Sequence, residues 1–191
     1  MIELRMATVA DIEFLTKCFN ESWKINDHDN SVCEFTDFNR RHPEAWPILF
    51  THMKSILRDA PIIVERDGKD IGFFTQDRDF NNMHLGGTVY VAPNTCRMAI
   101  TYMLKACIVR GVYYAIDNNF KYIEFNTWHD MIIRLAKNLL PELKVHELYD
   151  TYKICIAPVE EIKKGEGYVN IMNLPKDFID DKDYTFRLYI G

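Results

Sequence analysis

The sequence predicts an α/β fold in the broad sense, and within it the α+β class. Two observations carry this prediction. Of the 191 residues, 48% are hydrophobic and 13% aromatic, which is enough for a core that needs neither disulfides nor metals. Short stretches with alternating apolar residues are also interspersed with longer stretches whose apolar residues recur at helical spacing. These two periods are typical of strands and helices.

The chain opens with a predicted strand and helix. Residues 2–8 alternate apolar and polar side chains, as a half-buried strand does. Thr8 and Asp11 then have the spacing of a capping box, which predicts a helix over residues 9–24. The next elements that we expect are a loop over 26–39, a helix over 42–57, a hairpin of strands 61–65 and 71–76 around Asp67-Gly68, and a strand over 85–91.

The longest apolar stretch runs from Met98 to Ile116 and carries Lys105 and Arg110 in its interior. A membrane span seldom tolerates two central charges, so we expect a buried helix. The remaining predicted elements are a strand over 121–126, a helix over 130–140, a strand over 149–156, a solvated linker over 160–166, and strands over 168–172 and 184–190.

Composition excludes several classes of function. The formal net charge of −5 argues against a nucleic-acid or membrane partner. The chain contains no phosphate-binding G-x-x-x-x-G-K-[ST], no G-x-S-x-G and no H-E-x-x-H motif. We expect no metal, because Asp27-His28-Asp29 is better explained as a solvated loop than as a set of ligands.

The five cysteines include no C-x-x-C pair, and the first residues lack the pattern of a signal peptide. A reduced, cytoplasmic setting is therefore expected.

The passage from Val89 to Thr101 predicts a strand that turns directly into the long helix. A helix start presents unpaired N–H groups and the positive end of the helix dipole, so it suits an anion or a pyrophosphate. An ordinary strand-to-helix turn explains the same residues on local chemistry alone.

The opening Ile2-Glu3-Leu4-Arg5-Met6-Ala7-Thr8-Val9-Ala10-Asp11, the strand Val89-Tyr90-Val91-Ala92-Pro93 and the order of the elements resemble the GNAT family of N-acetyltransferases. The resemblance spans residues 1–157 and leaves 158–191 as a strand-rich C-terminal β extension. It implies a mixed, mostly antiparallel sheet flanked by helices. Two parallel strands would splay apart in that sheet, and acetyl-CoA would enter the gap as the cofactor.

The resemblance also implies a cofactor site. The family's phosphate loop, Arg/Gln-x-x-Gly-x-Gly/Ala, places Cys96, Ala99 and Thr101 at its three marked positions when it is anchored on Pro93. A shift by one residue gives Arg97 the basic position but puts larger side chains where the family has glycine. The residues that would bind acetyl-CoA are Val91 and Ala92 along the pantetheine arm and Cys96, Arg97, Met98, Ala99 and Thr101 around the pyrophosphate.

The family's last helix usually carries a tyrosine that acts as general acid, and this chain has Ala136 in its place. The candidate catalytic residues are therefore His129, Glu124 and Tyr102, with Tyr90 and Cys96 as further substitutes for the acid. Glu124 or His129 would take a proton from the amine. Each of these residues also has an ordinary structural explanation, as a core or surface side chain.

Two functions follow. The first is an acyltransferase that moves an acetyl group from acetyl-CoA to a small-molecule or protein amine. The second is a non-catalytic GNAT-like protein that has lost its acetyl-CoA site and contacts a protein partner through residues 165–191. Proteins of this second kind occur among phage virion and accessory proteins, which would place the chain in a virion or in the host cytoplasm.

Overall fold

The computed structural model describes residues 1–25, 61–85, 89–127, 129–149 and 152–189. Its helices are α1 (Ile12–Ile25), α2 (Arg97–Asp117), α3 (Asp130–Leu139), α4 (Val159–Lys164) and α5 (Glu166–Met172). Its strands are β1 (Ile2–Met6), β2 (Ile62–Arg66), β3 (Lys69–Phe74), β4 (Asp77–Arg78), β5 (Asn82–His84), β6 (Val89–Val91), β7 (Tyr122–Thr127), β8 (Lys144–Tyr149), β9 (Tyr152–Pro158), β10 (Lys176–Asp180) and β11 (Thr185–Leu188). The predicted loop over 26–39 and helix over 42–57 lie outside the described residues.

The strands form two sheets, which confirm the mixed, mostly antiparallel fold. One sheet has the order β10-β11-β1-β2-β3-β6, and the other has the order β4-β5-β7-β9-β8. Within the described residues, every neighbouring pair of strands is antiparallel except β5 with β7. The single parallel pair needs a crossover, and α2 provides it.

The predicted capping box at the start of the chain is confirmed. Asp11 accepts hydrogen bonds from the backbone N–H of Thr8 at 2.8 Å and from its hydroxyl at 3.1 Å. The same carboxylate receives both terminal nitrogens of Arg5, at 3.0 and 2.9 Å, and Arg5 also donates to Asp70 at 2.8 Å. This ion pair fastens the first helical turn to β1 and β3.

The core lies on both faces of the sheet that contains β1. On one face, α1 packs against β3 and β6 through a small cluster that includes Leu15, Cys18 and Phe73. On the other face, α2 crosses both sheets and buries most of its length. By length and composition alone α2 is apolar enough to span a membrane, but 67% of its most apolar window is buried inside the protein. The predicted buried helix is confirmed.

Two predictions for the C-terminal part are wrong. Residues 160–166 are not a solvated linker, because Val159 and Ile162 are buried at helical spacing in α4. Residues 168–172 belong to helix α5 and not to a strand, and the carboxylate of Glu142 accepts the N–H of Gly167 in its first turn at 2.9 Å. Local hydrogen bonding at a helix start therefore outweighs the β-branched composition of this segment.

The last two strands extend the first sheet. β11 pairs with β1, with Ile2 opposite Leu188, and β10 pairs with β11 at the sheet edge. The side chains of Phe186 and Leu188 are fully buried. The division of the chain at residue 157 stays a prediction, although this pairing ties the end of the chain to its beginning.

Candidate active site

The two sheets part at a fork between β5–β6 and β7. Up to Leu85 the chain follows β7 in parallel, with His84 opposite Glu124. The last described hydrogen bond of this pairing runs from the N–H of Leu85 to the carbonyl of Glu124, at 2.9 Å. From Val89 to Val91 the chain pairs with β3 instead of β7. The strands on the two sides of the fork are β6 and the second half of β7.

The backbone of β6 turns alternate groups towards the fork. The N–H of Ala92 donates to the carbonyl of Ile71 at 2.9 Å, so this donor faces β3. In an antiparallel ladder the neighbouring residue points to the opposite edge, which directs the backbone groups of Val91 towards the fork. The two residues predicted to hold a pantetheine arm thus differ, since Ala92 donates to β3 and Val91 lies on the fork side of β6. The ring of Tyr90 stacks on Phe73 at 4.5 Å, towards α1.

Helix α2 begins at the open end of the fork. Cys96 is its N-cap, and its first turn contains no acidic residue, so nothing in that turn offsets the positive end of the helix dipole. Arg97 and Met98 are exposed, while Ala99 is buried. The hydroxyl of Thr101 lies 3.5 Å from the carbonyl of Arg97 and so bonds back along its own helix.

The pKa of the Cys96 thiol shows the effect of the positive potential at this helix start. The N–H of Ala99, the nearby N–H of Met98 and the positive charge of Arg66 lower the pKa of Cys96. Arg66 lies at the end of β2, and its guanidinium is 5.1 Å from the ring centre of Tyr102. A positive charge outside the helix thus adds to the dipole, and the set of donors fits a phosphate group.

Glu124 lies at the closed end of the fork. Its neighbours Ile123 and Phe125 point into the core, so the carboxylate lies on the opposite face of the sheet. Oε1 of Glu124 is 2.8 Å from Nδ1 of His84, and Oε2 accepts a hydrogen bond of 3.1 Å from the amide of Asn82. Both oxygens are therefore held by β5.

The other ring nitrogen of His84 faces a second carboxylate. Nε2 lies 3.4 Å from Oδ2 of Asp79, in the turn between β4 and β5. The backbone N–H groups of Asn81 and Asn82 bind the other oxygen of Asp79, each at 2.8 Å, and lower its pKa.

The two other predicted catalytic residues lie on other elements, at helices α2 and α3. Tyr102 is half-buried in the second turn of α2, against Arg66 of β2. His129 is the exposed N-cap of α3, and its backbone N–H donates to the hydroxyl of Thr127 at 3.1 Å. The structure thus places Glu124 at the closed end of the fork and Tyr102 beside Arg66, near the start of α2.

Sequence reasoning missed His84 and Asn82, the two partners of Glu124, and Asp79, which contacts His84. Asn82 and His84 are two residues apart, which places them on the same face of one strand. That spacing was a usable signal. Their contact with Glu124 was not visible in the sequence, because it depends on the parallel register of two strands that are distant along the chain.

Comparisons with known proteins bear on this geometry. No family model and no curated protein matches the chain, whereas 97 chains of solved structures do. The PaiA N-acetyltransferase of Thermoplasma acidophilum, in complex with coenzyme A, is 16% identical over 83% of this chain and 99% of its own, with a TM-score of 0.57. FdhC, described as a nucleotide-linked sugar GNAT, is 16% identical over 90% of this chain and 95% of its own, with a TM-score of 0.58.

A third structure, an acetyltransferase of the GNAT family from Listeria monocytogenes, is 10% identical over 82% of this chain and 94% of its own, with a TM-score of 0.53. Identities this low show a shared fold and nothing about substrates. The fold of this chain is therefore that of the GNAT acetyltransferases.

Proposed function

We propose that this protein transfers an acetyl group from acetyl-CoA to an amine. The observation that carries the proposal is the fork between β6 and β7, with an acid-free helix start at its open end and Glu124 at its closed end. Structures of the same fold have been solved with coenzyme A, which supports a CoA ester as the donor.

The residues present suit this donor. The first-turn N–H groups of α2, with the exposed Arg97 and the nearby charge of Arg66, would hold the pyrophosphate. Val91 and Ala92 would lie along the pantetheine arm at the end of β6. Ala99, although buried, is small enough to let the phosphates approach the helix backbone.

Glu124 is the residue that we assign as general base. Its carboxylate takes a proton from the acceptor amine, and the nitrogen then forms a bond to the acetyl carbonyl carbon. The C–S bond of the thioester breaks, and CoA leaves as a thiolate that takes a proton from solvent. His129 and Tyr102 remain the other two candidate catalytic residues. Their positions, at the start of α3 and against Arg66, support Glu124 ahead of either.

The test is titration calorimetry with acetyl-CoA, followed by measurement of CoA release with a panel of small primary amines and peptides. We expect binding by the wild-type chain. Glu124→Gln should keep this binding and lose most of the transfer rate, whereas Glu147→Gln, an exposed carboxylate on β8 of the same sheet, should lose neither. Absence of binding at millimolar acetyl-CoA would contradict the proposal.

A second candidate function is a contact role for residues 165–191, and one observation favours it. Several large apolar side chains of this segment are exposed, namely Tyr168, Val169, Phe178, Ile179 and Tyr189. Such a group of side chains is typical of an interface. The comparisons lend no support to a phage virion role.

Deletion of the segment is a poor test of this contact role, because it would remove the buried Phe186 and Leu188. The variant Ile179→Lys charges the exposed edge strand β10 and leaves the core intact. Loss of self-association or of a partner complex in sedimentation velocity would support the contact role, and unchanged association would contradict it.

A further inference from the structure

We propose that His84, assisted by Asn82, is a positioning residue for Glu124. The inference rests on the proposed acetyl transfer and deepens it, since it identifies what holds the proton acceptor in place. The geometry that points to it is the pair of contacts from β5 to the two oxygens of one carboxylate, 2.8 Å from His84 and 3.1 Å from Asn82.

The carboxylate of Glu124 has to be held in one orientation to act as a base. A glutamate side chain has three rotatable bonds before its carboxylate, and its general-base chemistry depends on a near-ångström fit to the amine. The side chain of Glu124 is 21% exposed to solvent, so packing alone does not fix its carboxylate. Two donors, one on each oxygen, leave it a single orientation and leave a lone pair on each oxygen for a substrate proton.

The ring of His84 is itself held in place by two carboxylates. Its ring is held on both sides, by Glu124 at Nδ1 and by Asp79 at Nε2. Asp79 is in turn fixed by two backbone N–H groups of its own turn. The turn that contains Asp79 thus supports the ring of His84, and this ring supports the carboxylate of Glu124 at the fork. Binding and catalytic sites use the same arrangement when an outer residue orients an inner one.

The register between β5 and β7 brings His84 to Glu124. His84 lies opposite Glu124 in the parallel pair, one residue before the described pairing ends. Its neighbours Met83 and Leu85 are buried in the core, which fixes the face of β5 that carries the ring. The position of the carboxylate is therefore set by the same strand that leads into the fork.

The experiment compares kcat and KM in three variants. His84→Ala should lower kcat by about tenfold or more while the KM for acetyl-CoA changes less than twofold. His84→Asn, whose amide nitrogen takes the place of Nδ1, should recover most of kcat. His146→Ala, an exposed histidine on β8, is the matched control and should behave as wild type.

Two further measurements keep the test decisive. If His84→Ala does not fold, Asn82→Ala replaces it, with a smaller loss of kcat expected because the 2.8 Å contact remains. Long-range proton–nitrogen NMR of the histidine rings should show a proton on Nδ1 of His84 that is disturbed by Glu124→Gln.

The outcomes separate the two proposals. A wild-type chain that transfers no acetyl group to any amine overturns the proposed function and this inference with it. An active wild type in which folded His84→Ala and Asn82→Ala both keep kcat within twofold overturns the inference alone. A fall in kcat that His84→Asn does not restore also contradicts a positioning role.

Discussion

Nη1 of Arg110 donates a hydrogen bond of 2.6 Å to Oε1 of Gln76, and both side chains are almost completely buried. The amide of Gln76 then donates to the carbonyl of Cys107 at 2.8 Å, one turn earlier in α2. Arg110 also donates to the carbonyl of Asp183 at 2.8 Å. The guanidinium thus joins the central helix to the segment after β3 and to the turn before β11.

Replacing Gln76 should therefore cost stability. Gln76→Leu removes an acceptor from a buried charge and a donor from a buried carbonyl, so we expect the free energy of unfolding to fall by about 2–4 kcal/mol. Gln76→Glu keeps an acceptor for Arg110 and should lose less. Urea unfolding measures both variants, and a loss below about 1 kcal/mol for Gln76→Leu would contradict this account.

Cys96 should be the first of the described cysteines to react with iodoacetamide. Its pKa is lowered by the N–H groups at the start of α2, whereas burial raises the pKa of Cys18 and Cys107 to about 12 and that of Cys155 to about 11. Since the thiolate is the nucleophile, Cys96 should show appreciable labelling near neutral pH.

Mass spectrometry identifies the labelled residue, in a Cys33→Ser background because Cys33 lies outside the described residues. Saturating acetyl-CoA should slow the reaction if the phosphates occupy the helix start. Equal labelling of Cys107 would contradict the burial described above.

Asp11 should make stability depend on acid pH. Burial raises the pKa of Asp11, but the hydrogen bonds from Arg5 and Thr8 outweigh it and leave the pKa below its usual 3.8. A carboxyl of this kind stabilises the fold above the pKa of the unfolded chain and loses that contribution as pH falls through the lower, folded value.

We therefore expect Asp11→Asn to lower the free energy of unfolding by about 2 kcal/mol at pH 7. The difference from wild type should shrink below about pH 4. Chemical unfolding at pH 7 and pH 3 gives the two differences, and a gap that grows on acidification would refute the assignment.

Gly111 should be needed where α2 meets the end of β5. A Cβ at this position would collide with the side chain of Leu85 and lie 3.0 Å from the amide nitrogen of Gln76. Helix propensity alone would make Gly111→Ala stabilising by about 1 kcal/mol. We expect the opposite sign, a loss of about 1–3 kcal/mol from overpacking. A rise in melting temperature would show that the helix can move aside at no cost.

The elements that the sequence predicted well are those with a strong local signal. The hairpin at Asp67-Gly68 has positive φ at both residues, and α2 and α3 begin close to their predicted starts. Strands β8 and β10 were missed, because exposed charges such as Lys144 and Asp177 hide the alternation of an edge strand. Helix α5 was predicted as a strand, because the hydrogen bond from Gly167 to Glu142 at its start cannot be seen in the sequence.

The candidate site was predictable only in part. Cys96, Ala99 and Thr101 were placed by the resemblance to the family's phosphate loop, and their role in binding a cofactor stays a prediction. The structure confirms only that they lie at the start of a helix. Glu124 was named as a possible base, but its contacts with His84 and Asn82 come from a pairing between β5 and β7 that no local pattern encodes. Tyr102 was named as a candidate from its position in the helix, and its ring lies against Arg66, a contact between distant residues that the sequence does not show.

The parallel pairing of β5 with β7 bears on the time course of refolding. The chain reaches β7 from β5 only through β6 and α2, so this contact closes a long loop, whereas the β2–β3 hairpin closes a short one. Loop closure of this kind is among the slower steps in folding. The proposed binding of acetyl-CoA should thus return after the hairpin has formed, and the time course of its recovery would then follow the last stage of refolding.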